Sequence, residues 1–224
     1  MSEVASTHPR ELAHQFQTVE QQRETGRLGM WVFLVTEIMF FGGLFAGYAI
    51  YRNLYLSAFE YGSRLLEIKA GTTNTAVLIA SSLTMALAVH SAQTGKRKAL
   101  IFFLLITMFF GFCFLGIKSY EYLEKWNHFL VPGLRFAPTE VLPPGVTASH
   151  LELFLCFYFF MTALHALHMI IGLGIMTVLV IMAWRGKFSA QYYAPVEISG
   201  LYWHFVDIVW IFLFPLLYLI GGRY

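Results

Sequence analysis

A chain of 224 residues with 58% hydrophobic and 12% charged side chains and a mean hydropathy of +0.62 is too apolar for a globular domain, where about a quarter of residues carry charge, and it reads as an integral membrane protein. The net charge of +2 is too small to argue for nucleic acid, and Cys113 and Cys156, far apart in apolar runs, offer neither a disulfide framework nor a CxxC metal site. The polar start MSEVASTHPRELAHQFQ has no short apolar core followed by small residues, so no cleaved signal peptide is expected.

Residues 1–27 are polar with scattered apolar positions and are expected to lie on the surface of the membrane or of a neighbour. Five segments between 28 and 221 then reach the roughly 20 apolar residues needed to cross the hydrocarbon, at 28–52, 72–93, 98–118, 151–184 and 199–221. Each must be helical, because an isolated span can satisfy its backbone in lipid no other way. The expected fold is an all-α bundle of five transmembrane helices with the termini on opposite sides.

The first span carries Glu37 near mid-depth and a Gly43-x-x-x-Gly47 pair that would allow close helix approach. The second carries Asn74, Thr75, Ser81, Ser82 and Thr84, which read as interhelical hydrogen-bonding groups. A short basic link, Gly95 to Lys98, leads to the third span, after which Glu121 is expected near an interface where a carboxylate costs little. A loop from Trp126 to Ser149 holds four prolines, and loops of that length are often functional or covered by a partner.

Ser149 and Glu152 have capping-box spacing and would start the fourth span. That span holds the run Phe154 to Phe160, expected to face lipid or another subunit, and His165 with His168, three apart on one face. The fifth includes GLYWHFVDIVWIFLF, with Asp207, the single aspartate of the chain, three residues beyond His204. Trp203, Asp207, Trp210 and Phe214 share one stripe, and Pro215 should bend the helix end. Eight basic residues on the side of the N-terminus against seven opposite, with the dense short link among the eight, favour a cytoplasmic N-terminus.

Ionisable groups at membrane depth are functional candidates by default. For Glu37, His165, His168, His204 and Asp207 three readings stand. Histidine pairs with a carboxylate could ligate iron, copper or zinc, although the di-iron pattern of Glu-x-x-His on two helices is missing. A proton path needs a ladder of titratable groups across the membrane, whereas these form a layer. The third reading is a buried polar cluster that fixes helix packing, with Asp207 against His204 or a Trp indole and Glu37 against a fourth-span histidine.

Four strings in this order, Trp31 to Arg52, Asn74 to Ser82, HALHMIIG (His165 to Gly172) and YWHFVDIVWIFLF (Tyr202 to Phe214), closely resemble subunit III of the haem–copper terminal oxidases, and the similarity runs from about Gly26 to Gly222. IKSYEY (Ile117 to Tyr122) fits as well. The resemblance implies a non-catalytic subunit without haem, copper or other metal of its own, packed against catalytic subunit I in a complex with subunit II and small subunits. It implies support of proton uptake by subunit I in a proton-pumping oxidase, in the inner membrane of a bacterium. Glu37, His165, His168, His204, Asp207, Trp203 and Trp210 then correspond to the family's buried polar and lipid-associated layer, with bound phospholipid an expected ligand. The mitochondrial form has two further helices before these five, and the lipid cleft beside them is correspondingly in question here. NTAVLIASS favours cytochrome c over quinol as electron donor, with a quinol oxidase subunit as the alternative. A self-sufficient redox or proton-conducting protein is the rival from another class.

Overall fold

A computed structural model describes residues 15–221 except 17, 134–135, 137–141, 191 and 220. It has helices α1 (Val19–Leu54), α2 (Leu56–Arg64), α3 (Ile68–Gln93), α4 (Arg97–Asn127), α5 (Ala148–Trp184) and α6 (Ala194–Phe214), followed by a π-helical turn Pro215–Leu219. All except α2 are long and apolar enough to cross a membrane, which gives the five expected spans.

The helices overrun the apolar stretches of the sequence. Thr18 caps α1 by accepting from the Gln21 amide at 3.1 Å, so residues 19–27 are the first turns of the spanning helix. The part of the expected surface segment at residues 1–14 and 17 lies outside the described residues. Helix α5, at 37 residues, would reach about 55 Å at 1.5 Å per residue, well past a hydrocarbon core of about 30 Å. Its cap is Thr147, which accepts from the His150 amide at 3.3 Å, and not Ser149. Glu152 reaches away from its own helix to accept from the Gly133 amide at 2.8 Å, fastening the long loop. The link between α3 and α4 turns at Gly95, whose φ of 69° is the left-handed region that glycine enters without strain.

Helices α3, α4, α5 and α6 close a ring in which each touches the next, and α1 leans on α6 from outside. The ring is filled from α6: Trp203 and Trp210 are fully buried, with Phe114, Met85 and Met169 among the fully buried neighbours. Gly111 on α4 and Gly172 on α5 make room for the Trp203 ring, since a Cβ at Gly172 would lie 2.8 Å from it. Helix α2 lies against α5 and buries Phe59 and Gly62.

Two sequence expectations about faces are corrected. Gly43 has nothing within 4 Å of a would-be Cβ and Gly47 only the Phe157 ring at 3.7 Å, so this glycine pair makes no close helix contact within the chain. The aromatic run of α5 is divided: Phe154, Leu155 and Tyr158 are buried and Phe160 points out, as a 3.6-residue period requires. Pro215 lacks the N–H that would continue α6, and the backbone passes into the π turn. There the Leu216 carbonyl accepts from Tyr48 Oη at 3.0 Å, tying α1 to the helix end.

Candidate functional site

A densely bonded polar cluster in the bundle is one that sequence reasoning placed elsewhere. Lys118 and Glu121 sit one turn apart on α4, about 32 Å from its start at 1.5 Å per residue, which is the depth of an interface. Depth says nothing about which side of the helix a residue occupies. Both side chains point inward and are buried, to 3% and 1% exposure. Lys118 Nζ donates to Glu121 Oε2 at 3.0 Å and to Tyr218 Oη at 2.8 Å, while Tyr158 and Tyr218 donate to Glu121 Oε1 at 2.9 and 2.6 Å. The ammonium also lies 5.0–5.5 Å from the ring centroids of Tyr122, Tyr158, Trp210 and Tyr218, where the negative ring faces attract a cation. Every member is satisfied, the condition under which a buried ion pair holds together. One turn further along, buried Lys125 donates to the Leu65 carbonyl at 2.7 Å and pins the α2–α3 connection.

The predicted polar layer divides into separate units. Glu37 Oε2 and His168 Nε2 are 3.2 Å apart and join α1 to α5, as the packing reading expected. His168 Nδ1 is 2.8 Å from the Leu164 carbonyl, and a carbonyl only accepts, so Nδ1 carries a hydrogen. One proton is then shared across the Nε2–Oε2 contact, as imidazolium with carboxylate or as imidazole accepting from the acid. Tyr202 of α6 donates to the His168 carbonyl at 3.0 Å. His165, at the other edge of the same helix face, is buried between the Phe114 and Trp210 rings at centroid distances of 5.2 and 5.3 Å, with no hydrogen-bond partner on either nitrogen.

The second-span hydroxyls take the partners that the sequence reading offered to Asp207. Trp203 Nε1 donates to Ser81 Oγ at 2.9 Å, Trp210 Nε1 to Thr75 Oγ1 at 3.1 Å, and Ser82 Oγ pairs with His204 Nδ1 at 2.7 Å. Thr84 reaches Thr107 on α4 at 2.8 Å, whereas buried Asn74 has no partner. The expected pairing of Asp207 with His204 or an indole is therefore corrected. Asp207 is 3% exposed, and neither carboxyl oxygen makes a well-formed hydrogen bond. The Ser82 hydroxyl beside it is the hydrogen-bonding side chain that bears on the carboxyl. Among the described residues, no three His, Cys, Asp or Glu side chains converge as they would to hold a metal ion.

The sequence matches the model of the family described as "Cytochrome c oxidase subunit III" over residues 10–131 and 145–222. It is 36% identical over 197 residues to "Cytochrome c oxidase subunit 3" of Thermostichus vulcanus, covering 86% of each chain. It is 31% identical over 206 residues to "Quinol oxidase subunit 3" of Bacillus subtilis, covering 91% of this chain and 92% of the other. Similarity to "Cytochrome bo(3) ubiquinol oxidase subunit 3" of Pseudomonas aeruginosa is 30% over 194 residues, covering 87% and 84%.

Proposed function

Because the chain belongs to the cytochrome c oxidase subunit III family, the multi-pass membrane subunit III of haem–copper oxidases, we propose that it is an accessory subunit that carries no redox centre and supports proton uptake by the catalytic subunit. The observation that carries this is the family match over both blocks, 10–131 and 145–222, which together span all five membrane helices. The residues themselves support it. Glu37 pairs with His168 between α1 and α5 and His204 with Ser82 between α6 and α3, while Lys118 and Glu121 pair on α4. Such pairs stiffen a scaffold.

Subunit I would be the main packing partner, with subunit II in the same complex. Helix α1 leaves an apolar groove of about 480 Å³ against α6, lined by Trp31, Leu34, Phe41, Phe205 and Phe212. A phospholipid acyl chain suits that volume and lining, with Glu37 and His168 as the polar groups of the lipid-associated layer. The N-terminus would be cytoplasmic in a bacterial inner membrane. Lys118 and Lys125 are buried and hydrogen-bonded and drop out of the charge comparison; among the described residues this leaves Arg23, Arg27, Lys96, Arg97, Lys98, Arg185 and Lys187 at one end against Arg52, Arg64 and Lys69 at the other.

Cytochrome c is the electron donor we propose for the complex, on the NTAVLIASS string and the relative of that name at 36% identity. A quinol is the second reading, favoured by the relatives named quinol oxidase subunit 3 and by their coverage of 92% in Bacillus subtilis. Metal and haem analysis of the isolated chain tests the accessory role. Negligible iron, copper and haem are expected, and one equivalent of any of them would refute it.

A further inference from the structure

A groove of about 320 Å³ runs along the outside of the α3–α6 contact, with Ser82 and Ala86 on one wall and His204, Asp207 and Ile208 on the other. It combines two independent features. Ser82 and Ala86 are small and four apart, the spacing that lets a further helix approach closely in a membrane. Asp207, buried to 3% exposure, lines the same groove without a well-formed hydrogen bond to either carboxyl oxygen, and Ser82 beside it, paired with His204, carries a single hydroxyl hydrogen and can serve one oxygen at most. In hydrocarbon no water completes such a group, so an acceptor left open there is an incomplete contact.

Depth identifies the kind of occupant. α6 and its π turn run from Ala194 to Leu219, and Asp207 lies about 20 Å along a length of about 39 Å at 1.5 Å per residue. A group so near the midplane of a hydrocarbon layer about 30 Å thick is some 15 Å from either headgroup region. A lipid headgroup does not reach it, and an acyl chain carries no donor. A side chain on another membrane helix satisfies both requirements.

We propose that the α3–α6 groove receives a transmembrane helix of another oxidase subunit, which inserts a hydrogen-bond-donating side chain onto Asp207. This rests on the chain being subunit III of a multisubunit oxidase, and it assigns the face and the residue through which that assembly is made. Exposed Ile208 and Leu83 border the groove and would pack against the incoming helix.

The test is photo-crosslinking in the assembled oxidase in native membranes, with p-benzoylphenylalanine replacing Ile208 and, as a control, Met39 on the outer side of α1. The expected product at Ile208 is a peptide from a transmembrane segment of another oxidase subunit with a donor side chain within one turn of the crosslink. Asp207→Leu should lower that crosslink roughly three- to tenfold, Asp207→Asn, which keeps an acceptor oxygen, should retain most of it, and the unfolding of the purified chain should be unchanged by either. Crosslinks at Ile208 to lipid alone, to a second copy of the chain or to nothing, in a complex that still co-purifies, would overturn the groove assignment and leave the subunit III reading standing. A chain that never co-purifies with haem-binding subunits would overturn both. Loss of stability in the isolated Asp207→Leu chain would make Asp207 an internal packing residue and refute the docking role.

Discussion

Glu121→Ala removes the acceptor for three donors at once: Lys118 Nζ at 3.0 Å, Tyr158 Oη at 2.9 Å and Tyr218 Oη at 2.6 Å. The lysine retains Tyr218 and its ring contacts but loses its only counter-charge within the cluster, at 3% exposure. Breaking one side of a buried ion pair costs about 3–5 kcal/mol, a large part of a typical stability of about 5–15 kcal/mol. Removing both charges by Lys118→Met with Glu121→Gln keeps the volumes and leaves an amide oxygen for the tyrosines, so the double variant should lie within about 1–2 kcal/mol of the parent. The parent, Lys118→Met, Glu121→Gln and the variant carrying both form a double-mutant cycle, measured with Glu121→Ala by detergent-denaturant titration of the purified chain followed by tryptophan fluorescence. A coupling of at least about 2 kcal/mol is expected. Additive single effects, or a Glu121→Ala variant within about 0.5 kcal/mol of the parent, would refute the buried network and return Glu121 to the membrane interface.

Gly172→Ala should destabilise the chain by about 1–3 kcal/mol, because its Cβ would lie 2.8 Å from the buried Trp203 ring; the same titration reads it, and no change would mean that the indole can shift. Ser81→Ala leaves the Trp203 N–H, now bonded at 2.9 Å, without an acceptor and should cost about 1–3 kcal/mol, with a red-shifted or broadened tryptophan emission as a second readout. Glu37→Gln keeps a polar partner for His168 but removes the carboxyl group. The assembled oxidase should keep its haem content and initial rate, and lose activity faster during sustained turnover. Loss of the first turnover would show that Glu37 acts in the chemistry.

Five spans were legible because a membrane helix declares itself by length and apolarity, and the family was legible because strings such as YWHFVDIVWIFLF are long and specific. Helix ends were less so. The apolar stretch of the third span stops near Lys118, but α4 runs on to Asn127, and polar side chains within a protein interior do not register as membrane. The same limit hid the Lys118–Glu121 cluster. Its trace in the sequence is an i, i+3 lysine–glutamate pair in IKSYEY, whose tyrosine partners at 158 and 218 become neighbours only through the α4–α5 contact and the π turn. Pairings within the layer depend on side-chain direction. His165 and His168 share a broad face by spacing, yet one meets Glu37 and the other Trp210, because each lies at an opposite edge of that face.

Mild-detergent affinity purification of the chain from its native membranes, with haem spectra and mass spectrometry of what accompanies it, tests the central claim most directly. The expected result is recovery with a large haem-binding subunit and a subunit II, haem and copper both being lost when the chain is separated from them. Recovery of the chain alone with a bound redox centre would contradict it, and the buried groups around Glu37, His165 and His204 would then have to contain the active site.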